Sequence, residues 1–162
     1  MTRTVLFVCV GNSGRSQMAE AISNKLKPDG FRAISVGTKP AKEVNPLVLQ
    51  VLRETGIDAS NARPKPVSPE MIVEAEKVIT MGCEASDFCP ARFLSRVEDW
   101  HIEDPKGKTL DEMRSIRDNI HEHVRELLQR LQPTCTCLDK RLPQEIFQSN
   151  SSSQSLRERH QG

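Results

Sequence analysis

The chain has 162 residues, with 23 Lys and Arg against 22 Asp and Glu and a formal net charge of +1. This length suits one domain, and a near-zero net charge disfavours a protein that binds nucleic acid through a basic surface. No apolar run reaches the roughly 18 residues of a membrane span, and the N-terminus lacks the features of a secretory signal. We therefore expect a cytoplasmic protein that binds neither nucleic acid nor membrane.

Strand and helix patterns alternate in the first part of the chain. Residues 5–8 form a short apolar, β-rich run that ends at a Gly/Asn/Ser cluster over residues 11–14. Apolar residues at helical spacing follow over residues 16–26 and stop before Pro28. Residues 31–36 predict a second strand. This stretch is therefore a strand–loop–helix–strand unit.

The same alternation continues to the end of the apolar pattern. The later elements are predicted as helices over 45–56 and 70–75 and strands over 77–81 and 97–102. A capping box at Thr109 and Glu112 starts the longest helix, and Pro133 ends it. Alternating strands and helices predict a parallel sheet with helices on both faces. The expected fold class is α/β, a three-layer α/β/α sandwich with a four-stranded parallel sheet.

The C-terminal part of the chain has a different composition. It is polar, has a Ser-rich centre over residues 149–155 and includes Cys135 and Cys137. Such a segment buries too little apolar surface to order itself. We predict a catalytic domain over residues 1–134 and a disordered tail over residues 135–162. The two tail thiols are interpreted as exposed, with soft-ion binding or oxidative pairing as alternatives.

The loop after the first strand has the pattern Cys-x5-Arg, from Cys9 to Arg15. A loop at a helix N-terminus directs successive backbone N–H groups at one point, where the helix dipole adds partial positive charge. Gly11 and Gly14 supply the backbone freedom that such a nest needs. Arg15 can bind two oxygens of a tetrahedral oxyanion, and the same field stabilises a Cys9 thiolate. The loop therefore predicts a nucleophile facing a bound oxyanion.

The predicted oxyanion-binding set is the whole loop with the first residue after it: Val10, Gly11, Asn12, Ser13, Gly14, Arg15 and Ser16. Within it, Asn12 is expected to organise the loop and Ser16 to donate to the thiolate. A turn former and a helix cap are the plainer interpretations of these two residues. A buried structural cysteine beside an ordinary turn is the alternative for Cys9 itself.

Two further motifs follow later strands. Asp104-Pro105 places a carboxyl group on a stiffened loop, where it can act as a general acid or simply form a turn. Cys83 and Cys89 follow the third strand. Because the carboxyl ends of parallel strands meet at one edge, these thiols can approach Cys9. Inert apolar cysteines and a zinc half-site remain alternatives, although a spacing of six residues is poor for zinc.

The segment Val8-Cys9-Val10-Gly11-Asn12-Ser13-Gly14-Arg15-Ser16-Gln17-Met18-Ala19-Glu20 resembles the anion loop of low-molecular-weight protein tyrosine phosphatases and of the thioredoxin-coupled arsenate reductases built on the same fold. The run from Ser16 to Glu20 is closer to the reductases, because the phosphatases typically have Pro at the position of Gln17. The resemblance continues through Trp100 to Pro105 and covers about residues 4–132.

The resemblance implies a mechanism. Cys9 attacks arsenate and Asp104 protonates the leaving oxygen. Cys83 then attacks Cys9 to release arsenite, Cys89 attacks Cys83, and thioredoxin reduces the resulting disulfide. Since thiols six residues apart on a regular helix point in roughly opposite directions, the relay predicts a mobile segment over residues 82–92.

Two other functions stay open on the sequence. A tyrosine phosphatase would form a phosphocysteine on Cys9, but the chain has no Tyr and only six aromatic residues, five Phe and one Trp, to line a phosphotyrosine cleft. A non-catalytic oxyanion sensor would leave Cys83 and Cys89 without a role. The sequence indicates no tightly bound cofactor and no metal site. The resemblance does allow a potassium ion at Asn12 and Glu20, for which an N–H-bonding Asn and a solvated Glu are the plainer interpretation.

Overall fold

The structure, a computed structural model, describes residues 2–132. The predicted boundary at residue 134, the tail over residues 135–162 and the thiols of Cys135 and Cys137 lie outside the described residues. Of the described residues, 2–129 belong to one compact unit and 130–132 to a second. The elements named below belong to the first unit, apart from the last residues of the C-terminal helix.

The described residues contain one sheet of four parallel strands in the order β2-β1-β3-β4. The strands are β1 (Arg3–Cys9), β2 (Phe31–Gly37), β3 (Lys77–Thr80) and β4 (Val97–Asp99). Val8 of β1 pairs with Val36 of β2 and with Thr80 of β3. The loops that follow these three strands therefore leave the sheet at one edge. The predicted four-stranded parallel sheet is confirmed.

The α-helices lie close to their predicted positions: α1 (Arg15–Leu26), α2 (Pro46–Glu54), α3 (Pro69–Glu74) and α4 (Leu110–Leu131). The Asn45 side chain accepts a hydrogen bond of 3.0 Å from the backbone of Leu47 at the start of α2. At the start of α4, the backbone N–H of Thr109 donates to Glu112 Oε2 at 2.7 Å. The Glu112 N–H donates back to Thr109 Oγ1 at 3.3 Å, which completes the predicted capping box.

Both faces of the sheet are covered. Leu6 and Val8 of β1 belong to a buried apolar cluster with Ile72 of α3 and with Cys89. On the other face, Val5 lies beside Ser23 of α1 and Leu127 of α4. Successive β1 side chains thus enter different layers, as the period of a strand requires. The three-layer α/β/α arrangement is confirmed.

The connection between β3 and β4 differs from a regular crossover helix. It consists of two short 3-10 helices, Ala85–Asp87 and Ala91–Arg96. β4 was predicted to reach residue 102 but ends at Asp99. Trp100 N still donates to Thr80 O at 2.9 Å, but Ile102 N turns back onto Trp100 O at 2.9 Å, so the chain leaves the sheet there. Within residues 2–132, no helix combines the length and the apolar character that crossing a bilayer requires.

Candidate active site

Cys9 is the last residue of β1 and is almost completely buried. Its Sγ accepts a hydrogen bond of 3.2 Å from the backbone N–H of Asn12 and lies 2.8 Å from Ser16 Oγ. Asn12 Nδ2 donates to that same Ser16 oxygen at 2.8 Å. The hydroxyl proton of Ser16 is therefore free to point at the thiol. Two hydrogen-bond donors, the Asn12 N–H and the Ser16 hydroxyl, thus converge on the Cys9 sulfur.

Four carbonyl groups of the loop are held by backbone N–H groups of the segment 38–45, in hydrogen bonds of 2.8–3.0 Å. They belong to Cys9, Val10, Gly11 and Ser13. In a planar trans peptide unit the C=O and the next N–H point in opposite directions. The N–H groups of residues 10, 11, 12 and 14 are consequently turned toward the centre of the loop. This is the nest of donors that the sequence predicts.

Asn12 is a completely buried residue of the loop and has a left-handed φ of 50°. Its side-chain oxygen accepts hydrogen bonds from Gln17 Nε2 at 3.0 Å and from the Lys65 backbone N–H at 2.9 Å. Gln17 Nε2 also donates to the backbone oxygen of Asn12 at 3.1 Å. Asn12 and the Ser16 hydroxyl therefore support Cys9 from behind, and neither side chain lines the pocket in front of it.

The Arg15 guanidinium reaches across the front of the loop. Its Nη1 donates to the backbone oxygen of Ile102 at 3.1 Å, and its Nη2 lies 3.9 Å from Asp104 Oδ2. It also lies against Gly82, which has a φ of +77° and where a Cβ atom would stand 2.5–2.8 Å from the guanidinium. A side chain at this position would strain the backbone and displace the guanidinium. The arginine is thereby oriented before any ligand binds.

These residues surround a pocket of about 560 Å³ above the Cys9 thiol. Its walls are the anion loop, Arg15, Gly82, the segment around Ala41 and Asn45, and residues 104–107. Asp104 is 63% exposed at its side chain, and its Oδ1 accepts a hydrogen bond of 3.0 Å from the Lys106 backbone. Among the residues that the structure describes, those lining the pocket include no aromatic side chain. The pocket has the donors for a tetrahedral oxyanion and a carboxyl group at its rim.

The structure brings Cys83 to the same edge of the sheet. Its Sγ donates to the backbone oxygen of Val8 at 3.5 Å, next to Cys9 in the chain. Burial raises the pKa of the Cys83 thiol from 9.0 to about 11, and the nearby negative charges of Cys9 and Asp99 act in the same direction. Arg15 acts in the opposite direction. Cys83 is therefore a neutral thiol at neutral pH.

Cys89 lies deeper than Cys83. It belongs to the buried cluster that contains Val8 and Ile72, against which Cys83 also packs. Burial raises the pKa of Cys89, while the Arg96 guanidinium opposes that shift. The three thiols of Cys9, Cys83 and Cys89 are all unpaired. Cys83 and Cys89 thus meet at one apolar cluster beside the sheet.

The two residues that the resemblance assigns to a potassium ion are already engaged. Both acceptor sites of the Asn12 side-chain oxygen are filled, by Gln17 and by the Lys65 backbone. Glu20 Oε2 accepts a hydrogen bond from the Ser35 hydroxyl and lies 3.6 Å from the Lys65 ammonium. Residues 2–132 contain no group of three or more His, Cys, Asp or Glu side chains placed to hold a metal ion. The residues present do not fit a potassium ion as they stand.

Sequence reasoning missed three residues of this site. Gly82 supports the Arg15 guanidinium, and its place directly after the third predicted strand was the available signal. Gln17 joins the anion loop to the segment near Arg63, where its Nε2 donates to the backbone oxygen at 3.2 Å. Lys65 contacts both Asn12 and Glu20 from a Pro-rich loop. No local pattern distinguishes that lysine from a solvated one.

Comparisons with known proteins agree with this geometry. A family model described as low molecular weight phosphotyrosine protein phosphatase matches residues 4–136. Arsenate reductase 2 of Staphylococcus epidermidis is 35% identical over 119 residues, which are 73% of this chain and 90% of that protein. A thioredoxin-dependent arsenate reductase of Corynebacterium glutamicum has a TM-score of 0.68 at 37% identity, over 81% of this chain and 64% of that one. The YwlE arginine phosphatase of Geobacillus stearothermophilus has a TM-score of 0.72 at 27% identity, over 80% of this chain and 93% of that one.

Proposed function

The chain belongs to the low molecular weight phosphotyrosine protein phosphatase family, and from that premise we propose that it is a thioredoxin-dependent arsenate reductase. The observation that carries the proposal is the position of Cys83. A second thiol lies at the edge of the sheet where the Cys9 loop holds an oxyanion. A hydrolase that forms a phosphocysteine has no use for that thiol, whereas a reductase needs it.

In the first step, the Cys9 thiolate attacks the arsenic atom of bound arsenate. An S–As bond forms, one As–O bond breaks, and Asp104 gives the leaving oxygen a proton so that it departs as water. The loop N–H groups and the Arg15 guanidinium bind the remaining oxygens. Arg15 and Asp104 lie 3.9 Å apart, so an oxygen held by the guanidinium is within reach of the acid.

In the second step, the Cys83 thiolate attacks Cys9 Sγ. A Cys9–Cys83 disulfide forms, the S–As bond breaks, and its electron pair stays on arsenic, which leaves as arsenite. Burial is the main cause of the raised pKa of Cys83, so this thiol has to lose part of its burial before it ionises, and the charge of Cys9 is a smaller cause. Once the first step has consumed the Cys9 thiolate, its negative charge no longer opposes ionisation of Cys83.

In the third step, the Cys89 thiolate attacks Cys83 Sγ, which forms a Cys83–Cys89 disulfide and returns Cys9 as a thiolate. Cys89 is buried in the apolar cluster, so the segment over residues 82–92 has to open. The segment contains one short 3-10 helix and the start of a second, and the hydrogen bonds of such helices have poorer geometry than those of an α-helix. A dithiol of the thioredoxin type then reduces the exposed disulfide with two electrons. Free thiols of this kind suit a reducing cytoplasm, which is where we place the protein.

Phosphomonoester hydrolysis is the second candidate, because the Cys9 loop and Asp104 are sufficient for it. Transfer of a phosphoryl group to Cys9 and its hydrolysis by water use neither Cys83 nor Cys89. The lack of an aromatic side chain among the described pocket residues leaves a phosphotyrosine ring without a stacking partner. We therefore expect only weak phosphatase activity. A non-catalytic oxyanion sensor would bind the same anions without turnover.

The test is arsenite production by the pure full-length protein with arsenate, thioredoxin, thioredoxin reductase and NADPH. We expect sustained NADPH consumption that is lost in Cys9→Ser, Cys83→Ser and Cys89→Ser. Omitting thioredoxin is the matched control for the electron donor. If NADPH is not consumed, and p-nitrophenyl phosphate hydrolysis survives Cys83→Ser and Cys89→Ser but not Cys9→Ser, the protein is a phosphatase. Arsenate binding without either reaction would identify a sensor.

A further inference from the structure

We propose that the Lys65 ammonium is a built-in cation that holds the anion loop in its binding conformation, in the role that a bound potassium ion would otherwise serve. Lys65 Nζ lies 3.6 Å from Glu20 Oε2 behind the loop. The inference concerns the shape of the loop, so it holds whether the bound oxyanion is reduced or hydrolysed.

Glu20 is a fixed partner for this ammonium. It lies on α1, and its Oε2 accepts a hydrogen bond from the Ser35 hydroxyl of β2. The side chains of Lys65 and Glu20 are only 38% and 22% exposed. Solvent therefore screens this pair less than an ordinary surface ion pair. The ammonium ties the loop that carries Lys65 to the helix behind the anion loop.

The backbone of the same lysine acts directly on the anion loop. The Lys65 N–H donates to Asn12 Oδ1 at 2.9 Å, and the Lys65 carbonyl accepts from Gly37 N at 2.7 Å. Asn12 in turn directs its own N–H at the Cys9 thiol and has a left-handed φ that its partners must hold in place. Loss of the ammonium therefore weakens the support of Asn12, and through it the nest around Cys9.

The charges around this position leave no need for a second cation. The pocket beside Lys65 is lined by the carboxyl groups of Glu20 and Asp58 and by the cationic side chains of Lys65 and Arg63. The two signs balance. A cation that entered this pocket would find the Lys65 ammonium already beside the Glu20 carboxylate. It would also find both acceptor sites of the Asn12 side-chain oxygen occupied. Lys65 is thus a positioning residue that acts through Asn12.

The test measures the affinity of the full-length protein for inorganic phosphate by calorimetry, at a constant ionic strength of about 0.1 M in choline, sodium or potassium chloride. For wild type we expect the same dissociation constant, within about twofold, in all three salts. In choline chloride, Lys65→Met weakens phosphate binding by about threefold to tenfold. Potassium restores at least half of that loss on a logarithmic scale, because the ion can take the place of the ammonium beside the Glu20 carboxylate.

Two control variants separate this role from a general effect of charge. Lys27→Met removes an exposed lysine at the C-terminal end of α1 and is expected to leave phosphate affinity unchanged. Lys65→Arg keeps the charge and is expected to bind phosphate without potassium. If phosphate binding by the wild type depended on potassium, the proposal would be overturned. This measurement does not depend on whether a variant folds. A Lys65→Met protein that binds phosphate like wild type, or that no cation restores, would overturn it as well.

Discussion

The Cys83 thiol donates a hydrogen bond of 3.5 Å to the backbone oxygen of Val8, the residue that precedes Cys9. The contact joins the loop after β3 to the end of β1, and it places the two thiols at one edge of the sheet. Burial raises the pKa of Cys83 to about 11, and the nearness of Cys9 adds to the rise. The resting protein therefore holds Cys83 as a protected, neutral thiol beside Cys9.

This raised pKa predicts how the free energy of unfolding depends on pH. Between pH 9 and pH 11 the unfolded chain loses the Cys83 proton while the folded chain retains it, so the contribution of this group falls as pH rises. Below pH 9 the contribution is constant. Cys83→Ala is expected to flatten that part of the curve. Urea unfolding of both proteins from pH 8 to pH 11 tests this, and parallel curves would contradict it.

The Ser16 hydroxyl is expected to matter for the chemistry. Ser16→Ala removes the hydrogen bond to the Cys9 thiolate, and a bond to a charged group is worth about 1.5–3 kcal/mol. The kcat/KM for arsenate is therefore expected to fall by about 10- to 100-fold. Ser23→Ala is the matched control, because Ser23 is another buried serine of the same helix. Equal activity of the two variants would show that the Ser16 hydroxyl does not assist Cys9 in the reaction.

Ser23 itself carries a prediction on stability. Its Oγ is buried and has no hydrogen-bond partner among residues 2–132. Burying an unpaired hydroxyl costs about 1 kcal/mol or more, so Ser23→Ala is expected to raise the free energy of unfolding by about that amount. Urea unfolding at neutral pH measures the change. A loss of stability would mean that the hydroxyl has a partner in solution.

Gly82 is expected to control the Arg15 guanidinium. Gly82→Ala places a Cβ atom 2.5–2.8 Å from that group, so the arginine has to move and phosphate binding is expected to weaken by about tenfold. Gly30→Ala is the control: it also has a positive φ, of +85°, but open space around its Cβ. Both variants lose about 1 kcal/mol of stability to backbone strain. Equal phosphate affinity in the two would refute the role of Gly82.

Most of the fold follows from local sequence patterns. The apolar run of β1, the Asn45 cap and the Thr109–Glu112 capping box each act within a few residues, and each is found where it was predicted. β4 ends before the predicted residue 102. The prediction extended the strand because Trp100 and Ile102 are as apolar as strand residues. Their backbone departs from the sheet through a turn that depends on neighbouring elements rather than on their own side chains.

In the functional site, too, the residues of one local segment could be predicted from the sequence and those from distant segments could not. The Cys9 loop is contiguous in sequence and could be predicted as a unit. Gly82 and Lys65 act on it from distant segments through single contacts, one with Arg15 and one with Asn12. A contact of that kind depends on the assembled sheet and has no periodicity or motif of its own. The roles of Cys83 and Cys89 stay predictions.

The central claim is the disulfide relay, and the yield of arsenite in a single turnover tests it most directly. The reduced, full-length protein is mixed with excess arsenate and no external thiol, and arsenite is counted per chain. About one arsenite per chain is expected from wild type and from Cys89→Ser, which stops at the Cys9–Cys83 disulfide, and none from Cys83→Ser, which stops at the arsenic adduct on Cys9. Arsenite release by Cys83→Ser equal to that of wild type would contradict the account, since the electrons would then come from elsewhere.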